Sequence, residues 1–158
     1  MEIKIRLNDH KYRYDVYQMF NIYFALDELK FVDDGEYIIN IEENKITFAF
    51  NGYYKESLIG ENIKEDIKRL VFESLKDITG EEHPWGILVG IRPSKIALKY
   101  LNEGKSNEEI VEIFKEKHLA TREKAELCIE VAKAEESFVN TDEKKIAIYV
   151  GMAFCPTR

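Results

Sequence analysis

Residues 2 to 7 alternate apolar and charged side chains, the period of a strand with one covered face. From Tyr12 to Leu29 the chain spaces Val16, Phe20, Tyr23 and Phe24 three or four positions apart, which predicts a helix, although its aromatic and β-branched content also suits a strand. Asp33-Asp34-Gly35 reads as a turn. Glu36 to Ile41 and Lys45 to Phe50 are two strand-like runs joined by Glu42-Glu43-Asn44, which predicts a hairpin. Asn62 followed by Glu65 has the spacing of a capping box, and Ile63, Ile67, Leu70, Val71, Leu75 and Ile78 mark one helical face that ends at Thr79-Gly80. The pattern predicts β-α-β-β-α, an α+β unit assigned to residues 1–82.

The character changes at Glu81-Glu82-His83-Pro84. Three short helices are predicted near residues 93–103, 107–118 and 122–138. Pro93 suits a first helical position, Ser106 with Glu109 has capping-box spacing, and Thr121 suits an N-cap. Residues 83–140 therefore read as a helical subdomain. After a turn at Asn140-Thr141-Asp142-Glu143, the run Lys145 to Val150 lacks alternation, as in a strand covered on both faces within a parallel sheet. It is an orphan, with no βαβ partner after it. Because the sequence stops at Arg158, the expectation is a chain cut at the start of a further domain, over residues 145–158.

Composition changes this picture little. Apolar residues at 45%, with only 8 Gly and 3 Pro, describe a folded protein rather than a disordered tail. A formal charge of -7 argues against attraction of the whole surface to nucleic acid or anionic membrane. The N-terminus has no continuous apolar core of the kind a secretory signal needs, and the longest apolar stretch, Ile146 to Cys155, is about half a membrane span. The expectation is a cytoplasmic protein whose two cysteines, Cys128 and Cys155, are reduced.

Charge is distributed unevenly. Residues 83–105 carry Arg92, Lys95, Lys99 and Lys105 against the single acid Glu103. Arg92 and Lys95 fall at the expected N-terminus of a helix, where free N–H groups favour anions, and Lys99 lies one turn further on the same side. Arg92, Lys95 and Lys99 are thus candidates for binding a carboxylate, a phosphate or an acidic partner surface, or else form a solvated basic face. His10, His83 and His118 have no helical i,i+4 pairing and no cysteine at metal-ligand spacing, so no zinc site is expected. Dinucleotide, Walker and Gly-x-Ser-x-Gly signatures do not occur. Trp85 is expected to anchor the joint between the two units, and Cys128 to lie on an apolar helix face with Ala125, Ile129 and Ala132.

The segment Tyr149-Val150-Gly151-Met152-Ala153-Phe154-Cys155-Pro156 resembles the opening of a radical S-adenosylmethionine (SAM) barrel of the oxygen-independent coproporphyrinogen III oxidase-like family. In that family a barrel strand bearing Tyr runs through Pro-Phe-Cys into a Cys-x-x-x-Cys-x-x-Cys loop. Its thiolates hold three irons of a [4Fe-4S] cluster and leave the fourth to SAM. The resemblance implies that Cys155 is the first cluster ligand and that Tyr149 contacts SAM; Phe154 matches the residue before the ligand, and Ala153 stands where the family usually has Pro. Further upstream, Pro84-Trp85-Gly86-Ile87-Leu88-Val89-Gly90-Ile91-Arg92-Pro93-Ser94-Lys95 is similar to a Pro-Trp-Gly-(x)3-Gly-(x)-Arg-Pro-(x)-Lys segment in a bacterial, coproporphyrinogen dehydrogenase-like subgroup with a long N-terminal extension.

The resemblance implies an oxidoreductase that uses SAM and a [4Fe-4S] cluster, oxidatively decarboxylating porphyrinogen propionates in haem synthesis. Its partners would be a porphyrinogen-like substrate, a low-potential electron donor and the catalytic barrel of the same polypeptide. One cysteine of the triad cannot hold a cluster, so the 158-residue chain alone is expected to be inactive and free of cofactor. The alternative from the residues alone is a self-sufficient α+β binding module whose contact surface is Arg92 and Lys95.

Overall fold

The computed structural model describes residues 2–138 together with Ile148, Val150 and Gly151. The architecture is α+β: a mixed five-stranded sheet with two helices over one face, followed by three helices with a core of their own. Strand β1 (Ile3–Leu7) leads through a single 3-10 turn into α1 (Arg13–Tyr23). Then come β2 (Leu29–Phe31), β3 (Tyr37–Ile41), β4 (Lys45–Phe50), β5 (Tyr53–Leu58) and α2 (Ile63–Thr79).

The spatial order is β2-β1-β3-β4-β5. β1 runs parallel to both β2 and β3, while β3, β4 and β5 form an antiparallel meander. Alternation decides the covered face. Ile3, Ile5 and Leu7 of β1, Tyr37 and Ile39 of β3, and Ile46 and Phe48 of β4 are buried with Val16, Met19 and Phe20 of α1 and Ile67, Leu70, Val71 and Leu75 of α2. Asp15 on α1 is buried and lies 3.5 Å from Lys68 on α2, pairing the two helices side by side over the sheet. The Asp33-Asp34-Gly35 turn is present, and Gly35 is required there: a Cβ would stand 2.5 Å from the backbone nitrogen of Arg6.

Three expectations need correction. The helix expected through Leu29 ends at Tyr23, because Phe24 turns extended (φ -131°, ψ 152°), and Leu29 begins the short strand β2. Strand β5 is missing from the expected β-α-β-β-α order. Its residues are alternately half-buried and exposed, as on a sheet edge, and Asn51 (φ 44°) with Gly52 (φ 83°) makes the tight turn that returns it along β4. Asn62 precedes α2 but makes no capping bond; Asp66 instead accepts from the Gly60 N–H at 2.8 Å and closes that loop.

The remaining helices are α3 (Pro93–Asn102), α4 (Asn107–His118) and α5 (Arg122–Glu136). Pro93 opens α3, Ser106 and Glu109 form a reciprocal capping box on α4, and Thr121 caps α5 through the Lys124 N–H. Cys128 lies in the core of this unit with Ala97, Ala125, Ile129 and Ala132. Of the run expected as an orphan strand, Ile148 and Val150 are exposed and outside any strand, and the rest lies outside the described residues.

Candidate functional site

The segment from His83 to Lys95 joins the two units, and its residue types reflect what the joint requires. His83 and Gly86 close a turn (Gly86 N–H to His83 O, 3.0 Å). Two backbone bonds then fasten the segment to the connection between α4 and α5: Thr121 N–H donates to Pro84 O, and Ile87 N–H donates to His118 O, both at 2.9 Å. Gly86 sits at φ +54°, and a Cβ there would come within 2.1 Å of His118 O and 2.5 Å of the Leu119 carbonyl carbon. Only glycine fits that approach.

Immediately after it, neighbouring side chains enter different cores. Ile87 is buried against the sheet, Leu88 against the three helices. Trp85, the expected anchor, is partly buried against the helical core, with the Lys124 ammonium 5.4 Å from its ring centroid. A cleft of about 330 Å³ lies on the side of Trp85 toward Ile22, His83 and Val89. A smaller one, about 170 Å³, lies toward Pro93, Ser94, Leu127, Cys128 and Val131.

The basic residues lie close together in the chain but do not act as one. The Arg92 guanidinium points to α5, 3.5 Å from the Glu135 carboxylate, which also accepts a 3.2 Å hydrogen bond from the Ser94 hydroxyl. Lys99 faces outward and pairs along its own helix with Glu103 at 3.8 Å. Lys95 is exposed on the first turn of α3. The negative group anticipated beside Arg92 is therefore present within the chain as Glu135, a residue that sequence reasoning missed; its partner Ser94 is 41 positions away, and no local pattern links them.

The histidines are separate. His83 stacks edge-on against Tyr23 (4.5 Å), His118 against Phe114 (5.7 Å), and burial holds the His118 imidazole below its usual pKa. Among the described residues no three His, Cys, Asp or Glu side chains converge as a metal site. Cys128, the described cysteine, is buried and its thiol pKa is pushed up by that burial, the reverse of what a thiolate ligand needs. The described residues thus do not supply a place for an iron–sulfur cluster; Tyr149 and Cys155 lie outside them. A third cleft, about 480 Å³, opens between α2, β5 and the α4–α5 connection, but its cations Lys55, Lys76, Lys115 and Arg122 are each paired with carboxylates. No described helix is long and apolar enough to cross a membrane.

No family model and no solved structure matches the chain. Among curated proteins, it is 33% identical over 99 residues to the oxygen-independent coproporphyrinogen-III oxidase-like protein HemZ of Bacillus subtilis. The matched stretch is 61% of this chain, and the chain spans about a fifth of the length of that relative (20%). This similarity supports a relationship to the coproporphyrinogen-III oxidase-like proteins.

Proposed function

We propose that this chain is the N-terminal accessory region of a radical SAM oxidoreductase of the coproporphyrinogen III oxidase-like kind, with the α+β unit over residues 1–82, the helical subdomain over 83–140 and the start of the barrel at 145. The observation that carries the reading is the 33% identity to HemZ over 99 residues. Two motif-like segments in the corresponding order, Pro84 to Lys95 and Tyr149 to Cys155, support it as well.

Under this reading Cys155 is the first of three thiolate ligands and Tyr149 contacts SAM. A [4Fe-4S] cluster with SAM would supply a radical that begins substrate oxidation in the whole protein. The substrate class is a porphyrinogen bearing propionates, with a low-potential electron donor. The 158-residue chain is catalytically inactive, since the cluster needs two further thiolates. Its own residues supply the joint between the sheet and the helical unit: Pro84 and Ile87 are tied to the α4–α5 connection by backbone hydrogen bonds, and Gly86 packs closely against it.

Reading the coding sequence beyond Arg158 gives the first test: cysteines are expected four and seven positions after Cys155. The longer polypeptide, reconstituted anaerobically with iron and sulfide, is then expected to turn brown and to cleave SAM to methionine and 5'-deoxyadenosine. Folded protein that does neither removes the radical SAM assignment.

A further inference from the structure

The carboxylate of Glu135 leaves its own helix to meet another. It stands in the last turn of α5, yet its Oε2 accepts from Ser94 Oγ at 3.2 Å and lies 3.5 Å from Arg92 Nη2. Both partners belong to the start of α3, one on either side of Pro93. Ser94 is only 5% exposed, so its hydroxyl is a buried donor for which Glu135 is the acceptor. Proline at the first helical position fixes its own φ and so holds Arg92 and Ser94 at a set spacing toward the same carboxylate. The negative charge also stands beside the first turn of α3, where the helix dipole favours it.

We infer that Arg92, Ser94 and Glu135 form a clasp that acts as one unit and fixes the end of α5 to the start of α3. Glu135 is a positioning residue. Its carboxylate makes the last side-chain tie described on α5, one residue before the helix ends at Glu136. The clasp gives the Arg-Pro-x part of the Pro84–Lys95 segment a physical purpose: the arginine and the residue after proline grip one acid together. The clasp does not depend on the proposed function.

Hydrogen exchange of the 158-residue chain, read by mass spectrometry on peptides covering 129–138, tests this. In Ser94→Ala and in Glu135→Ala, exchange at the end of α5 is expected to accelerate on the order of tenfold, as for loss of a hydrogen bond to a charged group. The double variant is expected to be no faster than the faster single one, because the two side chains act as a unit. Arg92→Gln gives a smaller acceleration, since that guanidinium is 56% exposed. Lys99→Gln, whose pairing stays within α3, leaves exchange there unchanged. Unchanged exchange in both single variants, additive effects in the double, or equal acceleration in α2 overturns the clasp. None of these readouts involves a cluster or SAM, so loss of the clasp and loss of the radical SAM reading are told apart.

Discussion

The two halves of the molecule solve the packing problem with different side chains. Over the sheet the core is built from rings: Phe20 meets Tyr37 edge-on at 5.3 Å, Tyr37 stacks on Phe50 at 4.0 Å, and Phe48 meets Tyr53 edge-on at 6.1 Å. Among α3, α4 and α5 the buried positions include Ala97, Ala120, Ala125 and Ala132, with Cys128 between the last two. Large rings fill the space between a twisted sheet and two helices, whereas alanines let three helices approach closely. The difference predicts opposite sensitivities. The sheet half suffers most from losing volume, the helical half from gaining it.

Removing a ring gives the largest effect. Phe48 is fully buried on the covered face of the sheet, and Phe48→Ala is expected to cost about 3–5 kcal/mol in urea unfolding. The joint comes next. In Gly86→Ala the new methyl meets His118 O and the Leu119 carbonyl behind it, both backbone, so neither can yield as a side chain would; the cost is on the order of 3 kcal/mol. Enlarging the helical core ranks third. Ala132→Leu is expected to cost about 2 kcal/mol by overpacking. A leucine tolerated at Ala132 alongside an undamaged Phe48→Ala protein would break the contrast between the halves.

Capping sharpens the comparison at smaller scale. The Ser106 hydroxyl accepts from the Glu109 N–H while Glu109 accepts a 2.7 Å bond from the Ser106 N–H, so Ser106→Ala is expected to cost about 1 kcal/mol. Asn62, equally placed in sequence, makes no such bond, and Asn62→Ala is expected to change thermal stability by less than about 0.5 kcal/mol. Equal effects at the two positions would show that the caps do not distinguish the halves.

These contrasts also explain what the sequence could tell. The three C-terminal helices are legible to within two residues because their starts are written locally, in Pro93, Ser106 and Thr121. The hairpin Tyr37 to Phe50 is legible from alternation. The end of α1 is not, since no glycine or proline interrupts Tyr12 to Leu29 and an aromatic run serves helix and strand alike. β5 escapes a reading by pattern although Asn51-Gly52 is a recognised tight-turn pair, because Lys55, Glu56 and Ser57 make its outer half polar. At the candidate site, the charge of Arg92 is visible but its counter-charge is not. Glu135 meets Ser94 only once α3 and α5 are packed together, and tertiary pairing of that sort leaves no local pattern.

The smallest expected effect separates the halves by pH. His118 is buried in the helical half, and burial lowers its pKa, with the nearby Lys117 charge acting the same way and Glu65 opposing. The unfolded imidazole takes up a proton near pH 6.5, the folded one only at lower pH, so protons favour unfolding in between. Stability is therefore full above about pH 6.5 and declines as pH falls below it, with a slope under the one-proton limit of about 1.4 kcal/mol per pH unit. In the sheet half Tyr23, Tyr37 and Tyr53 are shifted the other way, chiefly by burial, so their contribution is present below about pH 10 and is lost above it. Fluorescence of Trp85, the only tryptophan and one packed on the helical core, tracks the acid limb in urea titrations at successive pH values. His118→Gln is expected to flatten the decline between about pH 6.5 and 5 while leaving the alkaline limb in place. A decline between about pH 6.5 and 5 that persists unchanged in that variant removes His118 as its source, since carboxylates such as Glu109 and Asp77, whose pKa values are lowered by their hydrogen bonds, add to the acid limb only below about pH 5.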